Sequence, residues 1–105
     1  MSCEFVADAP TLPADAVLVR VTDEFEASTV PRALRRSHRV APGVWGVLVV
    51  RDGSLRLVWE RVHDVCVLSA GDRQVIPPDV EHHVEVDGPV RFVVEFHRPR
   101  GTTAQ

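Results

Sequence analysis

Short apolar runs that alternate with polar residues constrain the fold of this chain more than any other feature. The apolar residues recur with a period of two, in runs of four to eight residues rich in valine, and turn-forming residues interrupt them. This period is typical of strands with one buried face, whereas helices repeat every 3.6 residues. The pattern predicts an all-β protein. Eight strands are expected, over residues 15–21, 33–40, 44–51, 54–60, 63–68, 73–77, 82–87 and 90–98.

Turn signals predict how these strands connect. Asp52 and Gly53 lie between two apolar runs, and both residue types tolerate the positive φ of tight turns, so a hairpin is expected there. Pro77 and Pro78 cannot donate to a strand ladder, so they predict a crossing segment. Eight short strands joined in this way are typical of a sandwich or a small barrel.

Length and composition indicate one small domain. The 105 residues suffice for a single core, expected over about residues 14–98, with tails at 1–13 and 99–105. A net charge of -3 argues against nucleic acid or an anionic membrane as the partner, because such partners select basic surfaces. A small molecule, an ion or another subunit is expected instead. The sequence shows no GxSxG motif and no glycine-rich phosphate loop, which argues against hydrolases and nucleotide binding.

The N-terminal segment and the cysteines predict a cytoplasmic protein. The first residues are acidic where a signal peptide is basic, and the apolar runs are too short to span a membrane. Cys3 and Cys66 are too few for a disulfide framework, which fits a reducing compartment. Cys66 lies in an apolar run, where an inert thiol is expected.

Two histidines fall on faces that are expected to point inward. Alternation places His38 on the same face as Leu34 and Val40 in its predicted strand. It places His82 inward in the strand after the prolines, and His83 outward. His38 and His82 could therefore meet inside a barrel. Neutral imidazole is the commonest metal ligand in proteins, and a bound metal needs three or four converging donors.

The histidines also have a purely structural interpretation. A histidine that lines a barrel can hydrogen-bond a carbonyl or a hydroxyl and simply complete the core. Glu95 is a candidate third donor, although its alternation with Val94 and Phe96 places it outside. His63 and His97 are expected at the surface. A metal site, a ligand site and a core role therefore all stay open.

An arginine-rich segment indicates a solvated edge, because charged side chains on an exposed strand discourage edge pairing. Its members are Arg32, Arg35, Arg36 and Arg39. Arg36 shares the face of His38 and could instead bind a carboxylate or an anionic ligand, although snorkelling to the rim is the simpler interpretation. Trp45 and Trp59 are expected in the core or at a dimer interface.

Two segments resemble the motifs of the cupin superfamily. GDRQVIPPDVEHHV resembles the second motif, whose histidine falls on His82. SHRVAPGVWGVLVVRDGSLRL resembles a degenerate first motif, with His38 on the entering strand and Gly53 at the terminal glycine position. The second histidine of that motif falls near Val40 and its glutamate near Trp45 or Gly46, so the standard shell of three histidines and one glutamate is incomplete.

A closer resemblance covers residues 28–98. VPRALRRSHRVAPGVWGVLVVRDGSLRL and VIPPDVEHHVEVDGPVRFVVEFHR are similar to a family of small cupins that includes the N-terminal domain of some TehB tellurite-resistance proteins and the YeaR protein. Its most specific elements are a His-x4-Gly-x-Trp-Gly run that begins at His38 and a Pro-Pro-x3-His run that ends at His82.

The resemblance implies a double-stranded β-helix (jelly-roll) barrel that forms a homodimer and is linked to tellurite or oxidative-stress responses. The expected function is to bind a divalent metal (zinc, iron, manganese or nickel) or a small polar ligand, near His38, His82 and Glu95. The alternatives are a metal-dependent enzyme of the dioxygenase or isomerase kind and a metal-free barrel that acts through self-association or a partner. The sequence has no methyltransferase domain, so neither a nucleotide nor S-adenosylmethionine is expected as a cofactor.

Overall fold

The computed structural model describes residues 11–35, 40, 42–61 and 64–100. Within these residues the strands and the single helix follow the order β1 (Ala16–Val21), β2 (Phe25–Glu26), a 3-10 helix (Arg32–Arg35), β3 (Trp45–Trp59), β4 (Asp64–Ser69), β5 (Arg73–Ile76), β6 (His82–Glu85) and β7 (Val90–Pro99). All of the described strand pairs are antiparallel. The predicted all-β class is confirmed.

Strand β3 joins two sheets. Its first part, up to Gly53, pairs with β7 on one side and β5 on the other, and β7 also pairs with β1 and β2. These strands form the large sheet. Its second part, from Ser54, pairs with β4 and β6 and forms the small sheet. Because one strand runs through both sheets, their inner faces supply side chains to a single core.

The core consists of aliphatic and aromatic side chains at alternate strand positions. The large sheet contributes Leu48 and Phe92, and the small sheet contributes Leu57 and Leu68; each is at most 1% exposed. The ring of Phe92 also packs on that of Phe25, with 5.5 Å between the ring centroids. In the small sheet the alternate residues Val65 and Val67 are exposed, which is the period-two pattern that the sequence predicts. In the large sheet Val47 and Val93, on the other face from Leu48 and Phe92, are buried as well.

The predicted hairpin at Asp52 and Gly53 is wrong, and the two strands predicted on either side of it are one. Asp52 pairs with Arg91 and Gly53 with Val90, and the register of β3 against β7 shifts after Val50. Gly53 adopts φ +71. The positive φ that Asp-Gly pairs favour in tight turns therefore lies inside a continuous strand. It follows a bulge between Val50 and Asp52, and bulges bend a strand without ending it.

The predicted strand at 33–40 begins instead as the 3-10 helix. The backbone N–H of Leu34 donates to the carbonyl of Pro31 at 3.0 Å, which closes the helical turn. Proline favours the start of a helix because its φ is already helical and its missing N–H would have no partner there. Residues 36–39 lie outside the described residues.

The other predicted strands correspond to β1, β4, β5, β6 and β7, with ends within two residues of those expected. Sequence reasoning missed β2, which is only two residues long. Trp59 is 4% exposed and belongs to the core, as expected. No helix in the described part of the chain is long and apolar enough to cross a membrane.

Cys66 points into the core from β4 and is 5% exposed. It is disulfide-bonded, so the expected inert thiol is wrong. Apolar neighbours predict that a thiol is shielded, but they do not reveal whether a second sulfur lies nearby. The cytoplasmic location stays a prediction. Cys3 lies outside the described residues.

Candidate functional site

A cavity of about 220 Å³ lies between the inner face of the large sheet, β6 and the 3-10 helix. Most of its walls are apolar, and Leu34, Leu48, Ile76, Val84, Val94 and Phe96 supply much of this surface. Three polar side chains of the described residues also line it: Arg20, Thr22 and His82. An apolar cavity with a few polar groups is the usual form of a small-molecule site.

His82 is held in the cavity wall by its neighbours. Its side chain is 3% exposed, and its Nδ1 lies 2.8 Å from the carbonyl oxygen of Val80. A carbonyl oxygen can only accept, so Nδ1 carries the hydrogen and Nε2 is an acceptor in the neutral ring. His82 on β6 also pairs with Trp59 on the neighbouring strand β3, with 6.2 Å between the ring centroids. The predicted inward orientation of His82 is confirmed.

The turn before β6 explains this orientation. Asp79 adopts φ 61, and its backbone N–H donates to the carbonyl of Val40 at 2.9 Å. This turn follows Pro77 and Pro78, which end β5, so the chain re-enters as β6 with His82 as its first residue. Val40 itself lines the cavity. The proline-containing turn thus places both the histidine and part of the opposite wall.

Glu95 lies on the opposite face of β7 from Val94 and Phe96, so the structure does not bring it to His82. Its carboxylate accepts hydrogen bonds from the guanidinium of Arg73, at 2.9 and 3.1 Å, and from Nε2 of His97 at 3.0 Å. The bonds from Arg73 lower the pKa of Glu95. His97 is 8% exposed, so its predicted surface position is wrong.

The remaining predicted site residues do not complete a metal shell. His38, Arg36 and His63 lie outside the described residues. Within the described ranges, no group of three or more histidine, cysteine or carboxylate side chains could hold a metal. His82 is the one such side chain among the described residues that line the cavity. These residues therefore do not by themselves fit a metal ion, which needs several converging donors.

The arginine-rich segment is solvated where the structure describes it, as expected. Arg32 and Arg35 are exposed on the 3-10 helix. The guanidinium of Arg35 donates to the carbonyl of Ala27 at 2.6 Å. Neither residue lines the cavity, so this part of the segment has no evident role in the site.

A family model described as the TehB-like domain matches residues 20–94. The chain belongs to the TehB-like family. A comparison with curated protein sequences found no match. The matched range runs from Arg20 in β1 to Val94 in β7. It therefore includes all of the described cavity-lining residues except Phe96.

Solved structures similar to the TehB-like domain share its fold. A protein from E. coli (strain K12) matches with a TM-score of 0.77 and 23% identity, over 86% of this chain and 97% of that protein. TehB from Haemophilus influenzae matches with a TM-score of 0.72 and 17% identity, over 82% of this chain but 32% of TehB. A cupin-2 domain protein from Shewanella frigidimarina matches with a TM-score of 0.51 and 23% identity, over 86% and 76% of the two chains. The predicted cupin barrel is confirmed.

Sequence reasoning missed an ionic network on the outer face of the small sheet. Nδ1 of His83 lies 2.6 Å from a carboxylate oxygen of Glu60, and Nε2 lies 3.0 Å from one of Glu85. Arg56 donates to Glu85 at 3.1 Å and to Asp87 at 2.6 Å. Because both ring nitrogens of His83 face carboxylates, the two hydrogen bonds form together only when the ring is protonated and both nitrogens donate. Alternation predicts that His83 points outward, but not that Glu60 lies beside it.

The stability of the TehB-like domain should depend on pH through His83. Burial alone would lower the pKa of His83, but hydrogen bonds to Glu85 and Glu60 outweigh burial and raise it. Because the pKa of His83 is higher in the folded state than in the unfolded state, where it is near 6.5, protonation of His83 stabilises the fold. This stabilisation is complete below the unfolded-state pKa and is lost as the pH rises through the folded-state pKa. Urea unfolding should therefore show that the advantage of wild type over His83→Gln shrinks as pH rises from roughly 6 to 9. An advantage that stays constant over this range would contradict the assignment.

Proposed function

We propose that the TehB-like domain binds a small organic molecule in its cavity. The apolar walls would hold the body of the ligand, beside the buried ring of His82 in the cavity wall. The observation that supports the proposal is the cavity itself, about 220 Å³ in volume and lined mainly by apolar side chains around a buried histidine. A smaller apolar cavity, of about 150 Å³, is known to take up benzene.

Binding of a neutral aromatic probe tests the proposal, with a variant that narrows the cavity. A Cβ at Gly46 would lie 3.4 Å from the nearest atom of Val40 and 3.6 Å from Ile76, which are ordinary contacts. Gly46→Ala should keep the fold and stabilise it by about 0.5–1 kcal/mol, because glycine weakens a strand interior. It should weaken the binding of benzyl alcohol, followed by NMR titration, roughly three- to tenfold.

Gly88→Ala is the matched control for that titration, because a Cβ there meets nothing within 4 Å and Gly88 does not line the cavity. It should bind benzyl alcohol as wild type does. Equal binding by the Gly46→Ala and Gly88→Ala variants would show that the probe binds elsewhere. Absence of binding by the folded wild type would contradict the proposal.

The metal site expected from the sequence remains a second candidate, because the described residues supply only His82 and the position of His38 is not described. Elemental analysis of protein purified without chelator separates the two candidates. Near-stoichiometric zinc, iron, manganese or nickel that both His38→Ala and His82→Ala abolish would favour the metal site, and with it the dioxygenase- or isomerase-like alternative. An organic-ligand site predicts no such metal.

The homodimer expected from the resemblance also stays a prediction. Strand β1 is an edge strand among the described strands, since its described partner is β7 alone. Val17, Leu18, Val19 and Val21 on β1 are 37–54% exposed. An exposed apolar edge strand can pair with another chain, and light scattering would measure the assembly. Family membership likewise supports the expected link to tellurite or oxidative stress, which tellurite-sensitivity assays can measure.

A further inference from the structure

A bulge in β1 turns Arg20 toward the cavity. Leu18 pairs with His97, while Arg20 pairs with Phe96, and the register shifts between Leu18 and Arg20. Residues that pair across two strands share a face of the sheet. Phe96 lines the cavity, so Arg20 lies on the inner face, and Leu18, which pairs with His97, lies on the outer face. In a regular strand, two residues that are two positions apart share a face. Val19 is the extra residue that reverses the alternation, and bulges of this kind re-aim side chains next to binding sites.

The guanidinium of Arg20 lies over an aromatic wall of the cavity. Its central carbon is 5.7 Å from the centroid of the Phe96 ring, which is a cation–π distance. Three arginines of the described residues pair with carboxylates: Arg51 with Glu24, Arg56 with Glu85 and Asp87, and Arg73 with Glu95. Within the described ranges, Arg20 has no carboxylate partner. Its charge is therefore available to a ligand.

The cavity carries one sign of charge. Neither aspartate nor glutamate is among the described residues that line it, and Arg20 is the charged residue there. The hydroxyl of Thr22, beside Arg20, already donates to the carbonyl of Asp23 at 2.9 Å and accepts from the N–H of Val94 at 3.0 Å. Thr22 therefore fixes the end of β1 rather than competing for the guanidinium. A cavity with a single guanidinium favours an anion over a neutral or cationic ligand.

The size and lining of the cavity restrict the rest of that anion. An inorganic oxyanion would lose its bound water on entering a cavity with mainly apolar walls, and this desolvation is unfavourable. A cavity of about 220 Å³ exceeds the volume of about 150 Å³ that takes up benzene, so it suits an apolar body of about ten non-hydrogen atoms. The ligand class that meets both conditions is a small organic acid with an aromatic or branched aliphatic body.

We propose that the cavity of this domain selects small organic monoanions, with Arg20 binding the carboxylate and the apolar walls holding the body. This inference rests on the proposed function, because it names the class of ligand that the same cavity takes. Arg20 is the specificity-determining residue. The Val19 bulge is the backbone device that brings its charge to the cavity.

Matched acid and amide probes test the inference. Phenylacetate and phenylacetamide have nearly the same shape and differ in charge, as do hexanoate and hexanamide. Calorimetric or NMR titration at pH 7 should show that wild type binds each acid about tenfold or more tightly than its amide, since a charge-assisted hydrogen bond contributes that much. Arg20→Gln should abolish the preference by weakening the acids while leaving the amides unchanged. Arg51→Gln removes a charge outside the cavity and should retain the preference.

Each outcome of these titrations has a distinct meaning. Equal affinity for acid and amide, both weakened in Gly46→Ala, would overturn anion selection and leave the proposed function standing. A preference for acids that persists in Arg20→Gln would overturn the role of Arg20. No binding of either pair by folded wild type, up to about 10 mM, would overturn both the inference and the proposed function, because a cavity with measurable affinity binds millimolar ligand.

Discussion

Gly53→Ala is expected to destabilise the TehB-like domain by about 3 kcal/mol or more, or to prevent folding. A Cβ at this position would lie 2.0 Å from the carbonyl oxygen of Pro89 and 2.8 Å from its carbonyl carbon. These are backbone atoms, so no side-chain rotation relieves the overlap, and β3 and β7 would have to separate where β3 passes between the sheets. Gly53 also has φ +71, which alanine adopts only at a cost. Urea unfolding, with circular dichroism to detect loss of the fold, measures the effect.

Gly43→Ala and Gly71→Ala are the controls for Gly53→Ala, because they separate backbone strain from overlap. Gly43 has φ +78 and Gly71 has φ +95, yet a Cβ at either position meets nothing within 4 Å. Each control should therefore show only the conformational cost, about 1–2 kcal/mol. If Gly53→Ala destabilises no more than these controls, the close approach of Gly53 to Pro89 has no energetic consequence and this explanation of the glycine is wrong.

The continuous strand at Asp52 and Gly53 shows what local sequence signals do not predict. Asp-Gly reports that the chain tolerates positive φ, and this was correct. Whether that φ closes a hairpin or bends a continuous strand depends on the neighbouring strand, and β7 lies far along the chain. The strand predicted at 33–40 was wrong for a related reason. Its alternation was compatible with a strand, but the turn that Pro31 begins makes residues 32–35 helical, while still directing Leu34 to the cavity.

In the candidate site, too, the sequence predicts some residues and misses others. The inward orientation of His82 follows from alternation within one short strand and from the proline-containing turn before it, so the sequence alone predicted it. Arg20 was missed because its alternation reverses at Val19, and a bulge is defined by the register with β7 rather than by residue type. Likewise, alternation does not predict that Glu95 bonds both His97 and Arg73, which belongs to another strand. Period-two patterns predict faces, whereas contacts between distant strands decide which charges meet.

Phe92→Ala should lower the free energy of unfolding by about 3–5 kcal/mol, the usual cost of removing a fully buried ring. Phe92 is 0% exposed at the centre of the core and contacts the ring of Phe25. Phe96 lies on the same face of β7, but it is only partly buried and lines the cavity under Arg20. Phe96→Ala should therefore destabilise the domain by roughly half as much or less, since less apolar surface leaves its packing.

Measuring Phe92→Ala and Phe96→Ala together tests whether the residues that stabilise the core differ from those that bind the ligand. Phe96→Ala removes the aromatic face that positions Arg20, so it should weaken phenylacetate binding in a protein that remains folded. Phe92→Ala should raise the urea sensitivity of the whole domain, and the fraction that stays folded should bind phenylacetate with the wild-type affinity. If both variants destabilise equally and neither affects binding in the folded state, the wall at Phe96 is part of the core and the cavity is not the binding site. If Phe92→Ala mainly lowers stability and Phe96→Ala mainly weakens binding, the ligand-binding residues lie at the bulged edge of the large sheet. They are then separate from the side chains that hold the two sheets together.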